Sequence, residues 1–273
     1  MLISVRALPV FLLALFLGCA DSSSPGPDAG ASTAPAPPPV PLQTTADSIA
    51  YRMAEAAGGF AAWQALPALR FEFGVERDGE ARTAARHFWD KHQNRYRVEW
   101  PGEGDTTYVA LFSAWPDSVE TFAAGEPLQG AAADEAAATA RRRTINDTYW
   151  LLAPLKAFDE GVTRTYVPDS SDAETAVLRL SFDGVGITPG DRYWLFVDRA
   201  SGQLQKWTYV LEADPNPRSF AWTAYRTLSG PSGAVSLSAR KEATFAPVAI
   251  LTGGLRAPAT VDSTLFTDPQ PRL

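Results

Sequence analysis

Few side chains in this chain are equipped for chemistry. It has two histidines, His87 and His92, one cysteine, Cys19, and 31 acidic residues. The histidines fit no metal-ligand spacing, and a metal site needs more ligands than the two offer. His87 reads as a strand residue and His92 as a turn residue. Neither a Gly-x-Ser-x-Gly elbow nor a glycine-rich phosphate loop occurs. Carboxylates are plentiful, and Glu72 and Glu99 are a pair that could meet across a sheet for acid–base work. In an alternating pattern both read more simply as the wet face of strands. Asp198 reads as a turn residue. Arg141-Arg142-Arg143 reads as a solvated helix face that could also meet a lipid headgroup or a partner's acidic patch. These residues call for no cofactor.

Cys19 has a context of its own. Arg6 precedes a short apolar run from Ala7 to Leu17, too short to span a bilayer as a stable helix. Residues 1–18 therefore read as a secretory signal. Phe16-Leu17-Gly18-Cys19 resembles a bacterial lipobox, with Phe16 where Leu is most common. That resemblance implies a diacylglycerol on the Cys19 sulfur and cleavage just before it. The alternative is an ordinary secretory signal with an incidental cysteine. No other cysteine exists to pair with Cys19. Ala20 stands where, in enterobacterial sorting, an Asp would retain a lipoprotein in the inner membrane. The expected location is thus the outer membrane, with the protein lipid-anchored and facing the periplasm.

Residues 19–43 hold the cysteine and a Pro/Ser/Ala-rich stretch with almost no large apolar side chains. Such a stretch cannot bury enough surface to offset its ordering entropy. It is expected to be a tether, reaching on the order of 70 Å at ~3.1 Å per residue when extended. Residues 44–273 are long enough for one domain with a substantial core. The formal net charge of −7 argues against nucleic acid, or an anionic lipid surface, as the main partner.

Within that domain, residues 46–57 fit an amphipathic helix, with Ala46, Ile49, Ala50, Met53 and Ala57 on one face. Gly58-Gly59 stops it, and Phe60, Trp63 and Leu66 suggest a second short helix ending near Pro67. Period-two alternation then predicts strands at 69–77, 82–90, 95–100, 106–115 and 119–123, with a tight turn at Asp78-Gly79. Residues 131–145 read as an Ala-rich helix. Asn146-Asp147 then caps a separate apolar turn, and Pro154 keeps this segment from being a long core helix. Strands resume at 162–167, 176–183, 192–198, 203–212, 219–228 and 235–245, with a short one near 260–266. Sequential hairpins without βαβ spacing predict an α+β domain on an antiparallel sheet of about ten strands. Strands 192–198 and 203–212 carry apolar side chains on both faces, which predicts strong curvature around something apolar.

Three stretches carry a family resemblance. They are the opening Gly58-Gly59-Phe60 with Trp63, the segment Asn146-Asp147-Thr148-Tyr149-Trp150-Leu151-Leu152-Ala153-Pro154, and the hairpin from Arg192 through Ser201-Gly202 to Trp207. Together they resemble the LolA/LolB-like superfamily of periplasmic lipoprotein carriers over roughly residues 46–245. More narrowly, they resemble an uncharacterised group of envelope lipoproteins of Bacteroidota-type bacteria. The resemblance implies an incomplete β-barrel with helices packed over its concave face, and a hollow that holds acyl chains. On this basis the expected function is not enzymatic but capture of an acyl chain or other apolar ligand. Two other readings remain open: an envelope enzyme using paired carboxylates, and a structural lipoprotein whose core fills itself. The expected lid is Trp150, Leu152, Leu155 and Phe158, facing Tyr193, Trp207, Tyr209 and Trp222. The expected partners are a lipid ligand and, through Cys19, a membrane. The sequence names no protein partner.

Overall fold

Leu69, Phe71 and Phe73 alternate with Arg70, Glu72 and the small Gly74, and that period builds the first strand of a sheet. The computed structural model describes residues 38–182 and 190–273, all within the unit Pro35–Leu273. Cys19, the signal at 1–18 and residues 19–37 of the expected tether lie outside the described residues. The first block of strands is β1 (Ala68–Arg77), β2 (Glu80–Asp90), β3 (Arg95–Pro101), β4 (Thr107–Ala114), β5 (Ser118–Ala123) and β6 (Glu126–Pro127). The second is β7 (Val162–Tyr166), β8 (Thr175–Phe182), β9 (Arg192–Asp198), β10 (Leu204–Val210), β11 (Arg218–Gly230), β12 (Gly233–Ala243) and β13 (Val248–Arg256). Each block is an antiparallel meander, and β1 pairs with β13 to join them into one open sheet with β6 and β7 at its edges. Asp78 and Gly79 both take positive φ, 51° and 84°, as a two-residue hairpin turn of the primed type requires.

Three helices accompany the sheet: α1 (Thr45–Ala56), α2 (Gly59–Ala65) and α3 (Gly130–Lys156). Thr44 and Asp47 cap α1 reciprocally, at 3.1 and 3.0 Å. Gly58 allows α2 to lie on β12. Its φ is +108°, and a Cβ there would meet the Ala234 carbonyl oxygen at 2.2 Å. The helix α3 shows why the sheet must curl. The Trp115 indole, just past β4, donates to Thr144 at 3.0 Å, while Tyr149 touches Tyr193 of β9. Five residues of helix rise about 8 Å. In a flat sheet β4 and β9 would lie about 38 Å apart, eight spacings of ~4.8 Å. Only a sheet curved around α3 brings both within reach of one short stretch of helix.

Several expectations need correction. The described residues form thirteen strands rather than about ten. The expected strand near 260–266 is instead a single 3-10 turn, Ser263–Phe266. β13 was not anticipated, because Gly253-Gly254 interrupts its pattern where the pairing with β1 shifts register. Finally, residues 131–158 are not two segments. One 27-residue helix runs through Asn146-Asp147 and through Pro154. Pro154 stands third from the helix end, so the ladder loses only the bond to the Trp150 carbonyl.

The face of the sheet away from the helices is covered in part by the C-terminal segment. Phe266 packs on Phe88, with ring centroids 6.0 Å apart. Arg97, fully buried, donates to the carbonyls of Leu265 (2.8 Å), Asp268 (2.7 Å) and Gln270. Glu99 accepts from Arg97 Nε at 2.6 Å and from the backbone amides of Arg272 (2.8 Å) and Leu273 (3.1 Å). Glu99 is therefore not on a wet face. Nor does it meet Glu72, because Arg86 stands between them in register.

Candidate functional site

The helix spacing of 143, 147 and 150 places Arg143, Asp147 and Trp150 on one face of α3. That face, together with Arg142 and Asn146, forms one wall of a cavity of about 490 Å³. The opposite wall is Asp191 and Tyr193 at the start of β9, Tyr209 of β10, and Leu211 and Ala213 beyond it; Phe73 of β1 closes one side. The volume lies within the roughly 300–1,000 Å³ typical of small-molecule sites. Aromatic rings make the apolar part, and charged side chains gather at the helix wall and at Asp191.

Asp147 is held from behind. His87, fully buried on β2, lies with Nε2 3.1 Å from Asp147 Oδ2. A carboxylate can only accept, so Nε2 carries the proton; in the neutral ring Nδ1 then accepts from the Tyr96 hydroxyl at 3.1 Å. Phe71 stacks flat on the imidazole at 4.3 Å. The second Asp147 oxygen accepts from Asn146 at 3.0 Å. Burial, with the Asp147 charge nearby, pushes the Tyr96 hydroxyl well above the usual tyrosine range, so it remains a proton donor.

The remaining charged groups differ in how far they are committed. Asp191 accepts from the Glu212 amide at 2.9 Å and hydrogen-bonds Tyr193. Burial and that carboxylate raise the Tyr193 hydroxyl. Burial raises the Tyr209 hydroxyl as well, opposed by Arg218. Arg218 is itself bonded to Asp214 at 2.7 Å. Arg143 is half-buried, and its Nε has no hydrogen-bond partner. Burial lowers its basicity, and Asp147 opposes that. Arg142 is exposed and donates to Thr139 at 2.9 Å.

The expected site residues separate into three positions. Trp150, Tyr193 and Tyr209 line the cavity. Trp207 is fully buried behind them, 4.4 Å from Trp150 and 5.1 Å from Tyr193 between ring centroids. Trp222 backs Trp207 at 5.3 Å and carries the buried Lys241 ammonium over its ring at 4.8 Å. Leu152 and Leu155 point into a core shared with Phe60, Leu69 and Phe71. Phe158 packs on Phe60 at 5.8 Å and under Arg164 at 4.4 Å. Sequence reasoning did not place Phe73, Asn146, Asp147, Asp191 or Leu211 in the site, and it gave Arg142 and Arg143 a lipid headgroup only as an alternative to a solvated face. The i, i+4, i+7 spacing from Arg143 through Asp147 to Trp150 was a usable signal once the helix is continuous. Among the described residues, no group of three or more His, Cys, Asp or Glu could hold a metal ion.

No protein-family model matches the chain, and neither does any curated protein. Solved structures do. A DUF1329 family protein from Desulfovibrio piger is 11% identical, with 80% of this chain and 94% of that one covered and a TM-score of 0.44. A LolA superfamily protein from Nitrosomonas europaea is 13% identical, with 82% and 98% covered and a TM-score of 0.44. A domain named for outer membrane lipoprotein sorting, from Vibrio parahaemolyticus, is 10% identical, with 80% and 94% covered and a TM-score of 0.43.

Proposed function

We propose that this chain is an envelope lipoprotein, lipid-anchored at Cys19 to the outer membrane, that captures an acyl chain or similar apolar group in the cavity beside α3. In this reading residues 1–18 are the signal, 19–43 the tether and 44–273 the binding domain, a member of the LolA/LolB-like superfamily. One observation carries it: a cavity of about 490 Å³, walled by Trp150, Tyr193 and Tyr209, on the helix-covered side of a curved sheet. Burying a methylene there contributes roughly 0.8 kcal/mol, and aromatic walls provide that contact without a specific shape.

The neighbouring core supports capture over a self-filled interior. Trp207 and Trp222 already pack behind the cavity, so its lining need not collapse inward to bury them. A fluorescent fatty-acyl probe should bind the detergent-free protein saturably and quench its tryptophan emission. Trp150→Ala and Tyr209→Ala should each weaken binding about tenfold, and Trp194→Ala, on the opposite face of β9, should not. Absence of saturable binding for every acyl probe would leave the structural reading in its place.

A further inference from the structure

We infer that the ligand is a single-chain amphiphile with an anionic head, a carboxylate or a phosphate, and that Arg142 and Arg143 read that head at the mouth of the cavity. This rests on the capture reading and adds the head chemistry to it. Four charged side chains line the cavity, two of each sign. Their hydrogen bonds are not balanced. Asp147 is engaged at both oxygens, by His87 and by Asn146. Asp191 receives the Glu212 amide and bonds Tyr193. The acids are thus occupied by the protein itself. The arginines are less committed: Arg143 lies 6.0 Å from the Trp100 ring centroid and feels the Asp147 charge but has no hydrogen-bond acceptor at Nε, and Arg142 makes one bond, to Thr139. A guanidinium carries five N–H donors, so both side chains keep donors for a ligand oxygen. Guanidinium bonds to carboxylate or phosphate are also the stronger, charge-assisted kind.

Position and size agree with this. Arg143 and Trp150 stand seven residues, two turns, apart on α3, so a head at Arg143 directs its chain toward Trp150, Tyr193 and Tyr209. A cavity of about 490 Å³ falls in the range of small-molecule sites and has room for an alkyl chain with its head.

The test compares four dodecyl ligands, the carboxylate, the phosphate, the neutral alcohol and the trimethylammonium cation, by calorimetry. The protein is the full chain carrying Cys19→Ser, purified without detergent. The expected result is one ligand per chain, with an anion bound at least tenfold tighter than the alcohol and the cation weakest. Carboxylate and phosphate arms show which anion is preferred. Arg143→Gln and, separately, the exposed Arg142→Gln should bring the anion down toward the alcohol and leave the alcohol unchanged. Arg143→Lys should retain part of the preference. Equal binding of anion and alcohol, or preference for the cation, overturns the head assignment while capture stands. Failure of all four ligands overturns capture itself.

Discussion

His87 Nε2 and Asp147 Oδ2 are 3.1 Å apart across 60 residues of sequence, and both groups are buried. In the sequence His87 is an unremarked member of an alternating strand. In the folded chain it links the Tyr96 hydroxyl to a carboxylate that lines the cavity. Removing the ring would leave the Tyr96 hydroxyl and one oxygen of Asp147 without partners, and a void against Phe71, which the imidazole stacks on. His87→Ala should therefore lower stability by about 3 kcal/mol, read from the midpoint of denaturant unfolding. His92→Ala, at an exposed turn, should stay within about 0.5 kcal/mol of wild type. Similar midpoints for the two variants would contradict the role given to His87. Glu99 makes the same point with an acid. It pairs with Arg97 and the terminal amides of a segment more than 160 residues away, which no strand pattern reveals.

At the scale of elements, position within a helix decides what a residue does. Pro154 would break a helix at its middle, yet near the end of α3 it removes one bond. The C-terminal end of α2 shows a different device. Lys91, in the turn after β2, donates to the carbonyls of Trp63 and Leu66, the latter at 3.2 Å, and lies over the Trp63 ring at 3.7 Å. A cation there completes orphan carbonyls and complements the helix dipole. Its partial burial still lowers the ammonium pKa from 10.5 to about 8. The folded pKa is thus below the unfolded one. Between about pH 8 and 10.5 the unfolded chain holds more protons, so stability should rise with pH across that window. Lys241, buried on β12, is shifted in the same direction. The difference between wild type and Lys91→Met isolates Lys91, and that difference should change between pH 8 and 10.5. A flat difference across the window would show that Lys91 does not titrate there.

For the whole molecule, two meanders meet at the β1–β13 pair, and α3 connects the far edge of one to the far edge of the other. This connection places the helix against the concave side of the sheet, and the cavity lies along it. The proposed lipid anchor belongs to the same scale. Lipidation at Cys19 would give stable anchoring, because several acyl chains together hold where one does not. Wild-type protein should sediment with membranes, and Cys19→Ser should be released or remain unprocessed. A wild-type chain recovered in the soluble fraction without acyl mass at Cys19 would remove the anchor from the proposed function.

The sequence alone determined the elements whose signals are local. Period-two alternation placed eleven strands to within a few residues, Asp78-Gly79 placed a hairpin, and Gly58-Gly59 separated α1 from α2. The aromatic face of β9 and β10 with Tyr193, Trp207 and Tyr209 packs toward α3, whereas Trp194 and Phe196 on the other face of β9 are only half-buried. Trp150, Tyr193 and Tyr209 were named in the sequence because a lid and an aromatic face can be read from apolar patterning. What the tertiary structure alone decided depends on contacts between distant residues. β13 gains its place from pairing with β1, although Gly253-Gly254 weakens its own pattern. Trp207 and Leu152 have the composition of a binding surface, yet packing against neighbouring strands and helices turned them into core. The polar half of the site is the clearest case. Arg143, Asp147 and Asp191 become one rim only because the sheet curls far enough to bring β9 to α3, and curvature is a property of all the strands together.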